Sequence, residues 1–123
     1  MNTAEKIASQ DIMDTKNSWV DICDISDLAE NIGQCALVNG KQVAVFCVSG
    51  TQDVYAIDNF DPFSNANVIS RGILGDLEGK LVVASPIYKQ HFELATGQCL
   101  EDESVKLDTY KVRVNDGRVQ IES

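Results

Sequence analysis

The chain has 123 residues, with 19 acidic side chains against 10 Lys and Arg and a formal net charge of −9. That length suggests one domain able to bury a core without disulfides. The acidic balance argues against nucleic acid or an anionic membrane as partner, because both need clustered Lys and Arg, and no apolar run is long enough to cross a bilayer.

The start, Met1-Asn2-Thr3-Ala4-Glu5-Lys6-Ile7-Ala8, has no long apolar stretch and does not read as a signal peptide, so the chain is expected in the cytoplasm. Residues 1–18 are polar with weak periodicity and are expected to form a loose tail, with a helical turn near Lys6 to Asp11. The folded domain is expected over residues 19–123. Trp19-Val20-Asp21-Ile22-Cys23 suits a strand. Ser26 or Asp27 then offers a cap for one short helical turn, closed near Gly33.

From Gln34 the pattern is β. Two apolar runs, residues 34–38 and 42–48, flank Asn39-Gly40-Lys41, and Asn-Gly between such runs marks a tight hairpin. Residues 49–53 turn the chain into a strand at Val54-Tyr55-Ala56-Ile57. Residues 58–72 break the pattern: they hold Pro62, Gly72, three Asn and two Asp without a period. An irregular stretch of this length in a small domain is usually functional. Residues 75–79 read as another turn, followed by a strand at Lys80-Leu81-Val82-Val83-Ala84.

Ser85-Pro86-Ile87-Tyr88-Lys89-Gln90 reads as a tight loop, Phe92-Glu93-Leu94 as a short strand, and Thr96-Gly97 as a turn completed by Gln98-Cys99-Leu100. The acidic knot Glu101-Asp102-Glu103 is either a solvated loop or a docking surface for a basic partner. A last hairpin is expected from residues 110–114 and 118–121 about Asn115-Asp116-Gly117. Many short strands with frequent turns mean an all-β sandwich or barrel. Cys23, Cys35, Cys47 and Cys99 form no C-x-x-C or C-x-H unit and sit among apolar neighbours. They are expected to be buried small hydrophobes and not metal ligands.

This order of pieces resembles the Rieske domain, a sandwich of short antiparallel strands whose two long loops at one tip clamp a [2Fe–2S] cluster. In that family the first loop carries C-x-H within N-x-C-P-H. The second carries C-P-x-H-G, followed by Phe and Thr-Gly. Here the loops read Asn59-Phe60-Asp61-Pro62-Phe63 and Ser85-Pro86-Ile87-Tyr88-Lys89, with Phe92 and Thr96-Gly97 at the family spacing. The framework matches and the ligands do not. Asp61 and Ser85 stand at the two cysteine positions, Phe63 and Tyr88 at the two histidine positions. Rieske iron takes two thiolates and two imidazoles, and oxygen donors suit such a site poorly. The chain is therefore expected to hold no cluster and no other metal or cofactor. Phe63 and Tyr88 are expected to pack together, with Ile87 or Phe60, in the space a cluster would leave. His91, the chain's one histidine, lies three residues past Tyr88 and reads as a strand-edge surface residue.

Within that resemblance, the Asp-Pro-Phe-Ser and Ser-Pro-Ile-Tyr runs look like those of the small subunits of bacterial cytoplasmic NAD(P)H-dependent nitrite reductases. This implies a non-catalytic accessory role in nitrate assimilation. The partner implied is a large subunit that carries FAD, an iron–sulfur cluster and sirohaem and reduces nitrite to ammonium. The docking candidates are the tip residues Phe60, Phe63, Ile87, Tyr88, Lys89 and His91. The alternative is a Rieske-type ferredoxin that passes electrons to an oxygenase, disfavoured because all four ligands are replaced. A stand-alone enzyme fits poorly: Ser85 lacks a G-x-S-x-G context and a nearby base. Asp58 and Asp61 lack the ligand density of a Ca²⁺ loop, and no Gly-rich loop cradles a phosphate.

Overall fold

The run Val43-Ala44-Val45-Phe46-Cys47 has no polar alternation because its strand is buried on both faces. In the computed structural model of the protein, residues 18–50 and 53–122 are described, and the expectations for residues 1–17 lie outside them. The elements in chain order are β1 (Trp19–Asp24), β2 (Gln34–Val38), β3 (Lys41–Cys47), β4 (Val54–Asp58), β5 (Phe60–Asp61), β6 (Ala66–Asn67), β7 (Ile73–Leu77), β8 (Lys80–Ala84), β9 (His91–Glu93), β10 (Thr109–Tyr110), β11 (Val112–Asn115) and β12 (Arg118–Glu122).

They form a four-stranded sheet β10-β4-β3-β2, three-stranded sheets β1-β12-β11 and β7-β8-β9, and the small hairpin β5-β6, all antiparallel. The all-β expectation holds. β3 sits inside the four-stranded sheet and feeds two cores. Val43, Val45 and Cys47 turn to one side and meet Ala56, Val119 and Ile121. Ala44 and Phe46 turn to the other and meet Ile57, Ile69, Val83, Phe92 and Leu94. Burying one such aliphatic or aromatic side chain contributes about 1.5–3 kcal/mol.

The hairpin turns follow their residues. Asn39 and Gly40 take φ of 50° and 84°, and Asp116 and Gly117 take 55° and 78°, the left-handed geometry that a two-residue hairpin requires. At Gly97 glycine is needed twice over: φ is +81°, and a Cβ there would stand 1.9 Å from the Leu107 carbonyl oxygen. That fixes the Thr96-Gly97 turn behind the second loop.

Five local expectations are corrected. The helical turn is a three-residue 3₁₀ turn, Ile25–Asp27, that starts before either expected cap and has no side-chain cap. Residues 58–72 are ordered by the β5-β6 hairpin and a 3₁₀ turn at Ile69–Arg71. These pieces are too short to show a period. Residues 75–79 are mostly strand: β7 pairs with β8 along its whole length, so the ladder overrides the weak strand preference of Gly75 and Asp76. The last hairpin breaks at Lys111, because Tyr110 pairs with Ala56 of β4 while Val112 pairs with Ile121 of β12. Finally, only Cys47 and Cys99 are buried; Cys23 is half-buried, and Cys35 is exposed because β2 is a sheet edge. Burial pushes the Cys47 and Cys99 thiols up, away from the reactive thiolate form.

Candidate functional site

β4 and β8 each deliver their chain to one end of the molecule, where the two loops meet. The contact is made by the residues at the two cysteine positions. Asp61 and Ser85 are buried, and the Ser85 hydroxyl donates to Asp61 Oδ2 at 2.5 Å. The same carboxyl group accepts from the Phe63 backbone N–H at 2.9 Å and from the Ser64 hydroxyl at 2.9 Å. A buried acceptor with three donors is satisfied, and each donor is tied to it. The second loop closes on itself, with the Ser85 N–H donating to the Gln90 carbonyl at 2.9 Å. Lys89 supplies the bend, at φ +65°.

Asn59 holds the first loop from beneath and was not singled out among the sequence candidates. It is 2% exposed. Its amide nitrogen reaches Gln42 Oε1 at 3.1 Å, the Asn67 carbonyl at 3.3 Å and Cys35 Sγ at 3.5 Å, while its side-chain oxygen accepts from the Ser70 N–H at 2.7 Å. One side chain therefore ties β6 and the 3₁₀ turn after it to Gln42 of β3 and Cys35 of β2. Its only sequence trace was the Asn that opens the first loop motif. One residue earlier, Asp58 accepts a 2.6 Å hydrogen bond from the Tyr110 hydroxyl. Burial, that bond and the nearby carboxylates of Asp58 and Asp108 push the Tyr110 phenol well above its ordinary range.

The aromatic residues at the histidine positions do not pack on each other. Phe63 is half-buried and rests on Phe92, with ring centroids 6.2 Å apart. Tyr88 is 61% exposed. The expected Phe63–Tyr88 plug is replaced by the Asp61–Ser85 hydrogen bond, which fills the same place with two small polar side chains. Alternation along β5 turns Phe60 outward where Asp61 turns in. Phe60 and Ile87 are 41% and 46% exposed. His91 is half-buried beside Glu101: its Nδ1 lies 2.6 Å from Glu101 Oε2, and its N–H donates to Oε1 at 2.8 Å. Burial raises the Glu101 carboxyl, but the His91 N–H and ring outweigh it and hold the group below its ordinary range. Asp102 accepts from Ser104 within its own loop, while Glu101 ties that loop to β9 through His91. Of the six docking candidates, Phe60, Ile87, Tyr88 and Lys89 face outward, and Phe63 and His91 are engaged with neighbours.

These residues do not fit a [2Fe–2S] cluster. Phe63 has no donor atom, Tyr88 points to solvent, and Asp61 and Ser85 are bonded to each other, not splayed around an iron. Among the described residues, no group of three or more His, Cys, Asp or Glu is placed to hold a metal ion. No helix among them is long and apolar enough to cross a membrane.

Comparison with known proteins places these observations. Residues 18–122 match the model of the Rieske-like [2Fe-2S] domain family. The chain is 46% identical over 105 residues to the nitrite reductase (NADH) small subunit of Salmonella typhimurium, covering 85% of this chain and 97% of that one. It is 45% identical to the solution structure of the nitrite reductase NAD(P)H small subunit of Erwinia carotovora, with a TM-score of 0.74 and coverage of 85% and 81%. It is also 37% identical over 103 residues to the nitrite reductase NAD(P)H large subunit of Klebsiella oxytoca, covering 84% of this chain and 11% of that one.

Proposed function

The chain belongs to the Rieske-like [2Fe-2S] domain family, and from that membership we propose that it is the small, cluster-free accessory subunit of a cytoplasmic NAD(P)H-dependent nitrite reductase. The 46% identity along 97% of the Salmonella small subunit carries the reading. In Klebsiella a similar segment occupies part of a large-subunit chain, which supports the large subunit as this chain's partner. That partner would carry the FAD, iron–sulfur cluster and sirohaem and reduce nitrite to ammonium, while this chain, residues 19–123 forming its folded domain, adds no catalytic group.

The docking face in this proposal is the tip. Phe60, Ile87 and Tyr88 are apolar or aromatic and exposed, the composition expected of interface anchors. Phe63, against Phe92, and His91, beside Glu101, are two further candidates. The ferredoxin alternative needs a cluster, and the donor set at the tip does not supply one.

Nitrite-dependent NADH oxidation by the large subunit, with and without this chain, tests the reading. The chain is expected to raise the rate or the lifetime of the large subunit, and to be colourless when purified from iron-replete cells. An unchanged rate, assembly and lifetime would defeat the subunit role, and a brown protein with a visible absorption band would restore the ferredoxin.

A further inference from the structure

The two loops of the tip, residues 60–67 and 85–90, contain only two charged side chains, Asp61 and Lys89. Asp61 is buried. Lys89 is exposed and, among the described residues, makes no ion pair. It is therefore the one cation of these two segments, next in sequence to the exposed Ile87 and Tyr88, on a chain whose formal charge is −9; Arg71, exposed at the end of the 3₁₀ turn that follows the first segment, is a second cation at this end of the molecule.

Its backbone is also unusual. Lys89 has φ +65°, a left-handed conformation that closes the loop between the Ser85 N–H and the Gln90 carbonyl. Glycine takes that conformation freely and a long side chain does not. Four of the other non-glycine residues held there, Asn31, Asn39, Asn65 and Asp116, are the short polar types that tolerate it. Glu78 is the remaining exception, and it lies in the β7-β8 turn at the end of that hairpin away from the tip. A strained residue at an exposed apex is a candidate for function.

We infer that Lys89 is the specificity contact of the tip, a single ammonium group presented to a carboxylate in an otherwise apolar docking surface of the nitrite reductase large subunit. The inference rests on the subunit reading above. A basic partner surface would attract any of this chain's acidic faces and would not select an orientation. An apolar surface bearing an acid accepts Lys89 with its apolar neighbours and repels this chain's acidic faces, so the lysine favours docking by this end.

The test measures the affinity of the full chain for its cognate large subunit, together with the Tm of each variant. Lys89→Gly is expected to raise Tm by about 2–4 °C, because it relieves the backbone, and yet to weaken binding about tenfold at low salt. The gap should narrow at high salt. Lys89→Glu should weaken binding further. Glu78→Gly relieves the same strain away from the tip and should leave affinity unchanged. A Lys89→Gly chain that binds as tightly as wild type overturns the inference and leaves the subunit reading standing. A wild-type chain that does not bind the large subunit overturns both.

Discussion

The inner and outer halves of the tip invert the usual arrangement of a protein. Inside, Asn59, Asp61 and Ser85 are polar and buried, and each is hydrogen bonded. Outside, Phe60, Ile87 and Tyr88 are apolar or aromatic and exposed. Buried polar groups that are fully satisfied fix one geometry, and exposed apolar groups wait for a surface. The contrast separates two jobs that a cluster-bearing loop does at once. In the proposed subunit, these hydrogen bonds hold the loops in register from inside, and the exterior is the surface the partner would meet.

Breaking the interior should have the largest effect. Asp61→Ala strands the Phe63 N–H and the Ser64 and Ser85 hydroxyls, and should cost about 3–4 kcal/mol. In a thermal melt that is a fall of about 10 °C or more. Ser85→Ala leaves Asp61 two donors and should cost about 1–2 kcal/mol. Equal melting of Asp61→Ala and wild type would dissolve the distinction between the two halves.

The root of the first loop gives a smaller, pH-dependent effect. The Tyr110 phenol is raised in the folded chain, so its contribution is fully present below the ordinary tyrosine value near 10 and is lost as pH climbs through the folded value. Stability of the wild type should therefore decline above about pH 10. Tyr110→Phe removes the bond to Asp58, should cost about 1–2 kcal/mol at neutral pH, and should flatten the alkaline slope in denaturant titrations. An unchanged slope would assign the alkaline loss to other groups.

The exterior should be almost silent in stability. Tyr88→Ala is expected to stay within about 0.5 kcal/mol of wild type while weakening large-subunit binding about tenfold in a titration. A Tyr88→Ala chain that melts early would mean that the ring is a packing element after all.

The hairpins and the two loop motifs were legible in the sequence because their causes are local. Asn39-Gly40 and Asp116-Gly117 carry their turn geometry in their own residues, and the spacing of Pro86, Phe92 and Thr96-Gly97 outlined the second loop. The filling of the tip was not legible. Asp61 and Ser85 are 24 residues apart, and nothing in either residue names the other. The large aromatics at Phe63 and Tyr88 suggested a plug, yet the smaller polar pair occupies the centre, since it satisfies both its own groups and a backbone donor. β7 was missed for a related reason: its strand character lies in its partner β8, not in Gly75 or Asp76.

β1 and β12 lie side by side, with Trp19 opposite Glu122, and Arg118 spans them to Asp21 and Asp24. The fold thus begins and finishes at neighbouring points on its surface. A module of that shape can be spliced into a longer polypeptide with short connections and no change to its interior. The similar segment within the Klebsiella large subunit, 11% of that chain, is what such portability permits. Joined covalently, the two partners would meet at a local concentration set by the connecting segment and no longer by the cell.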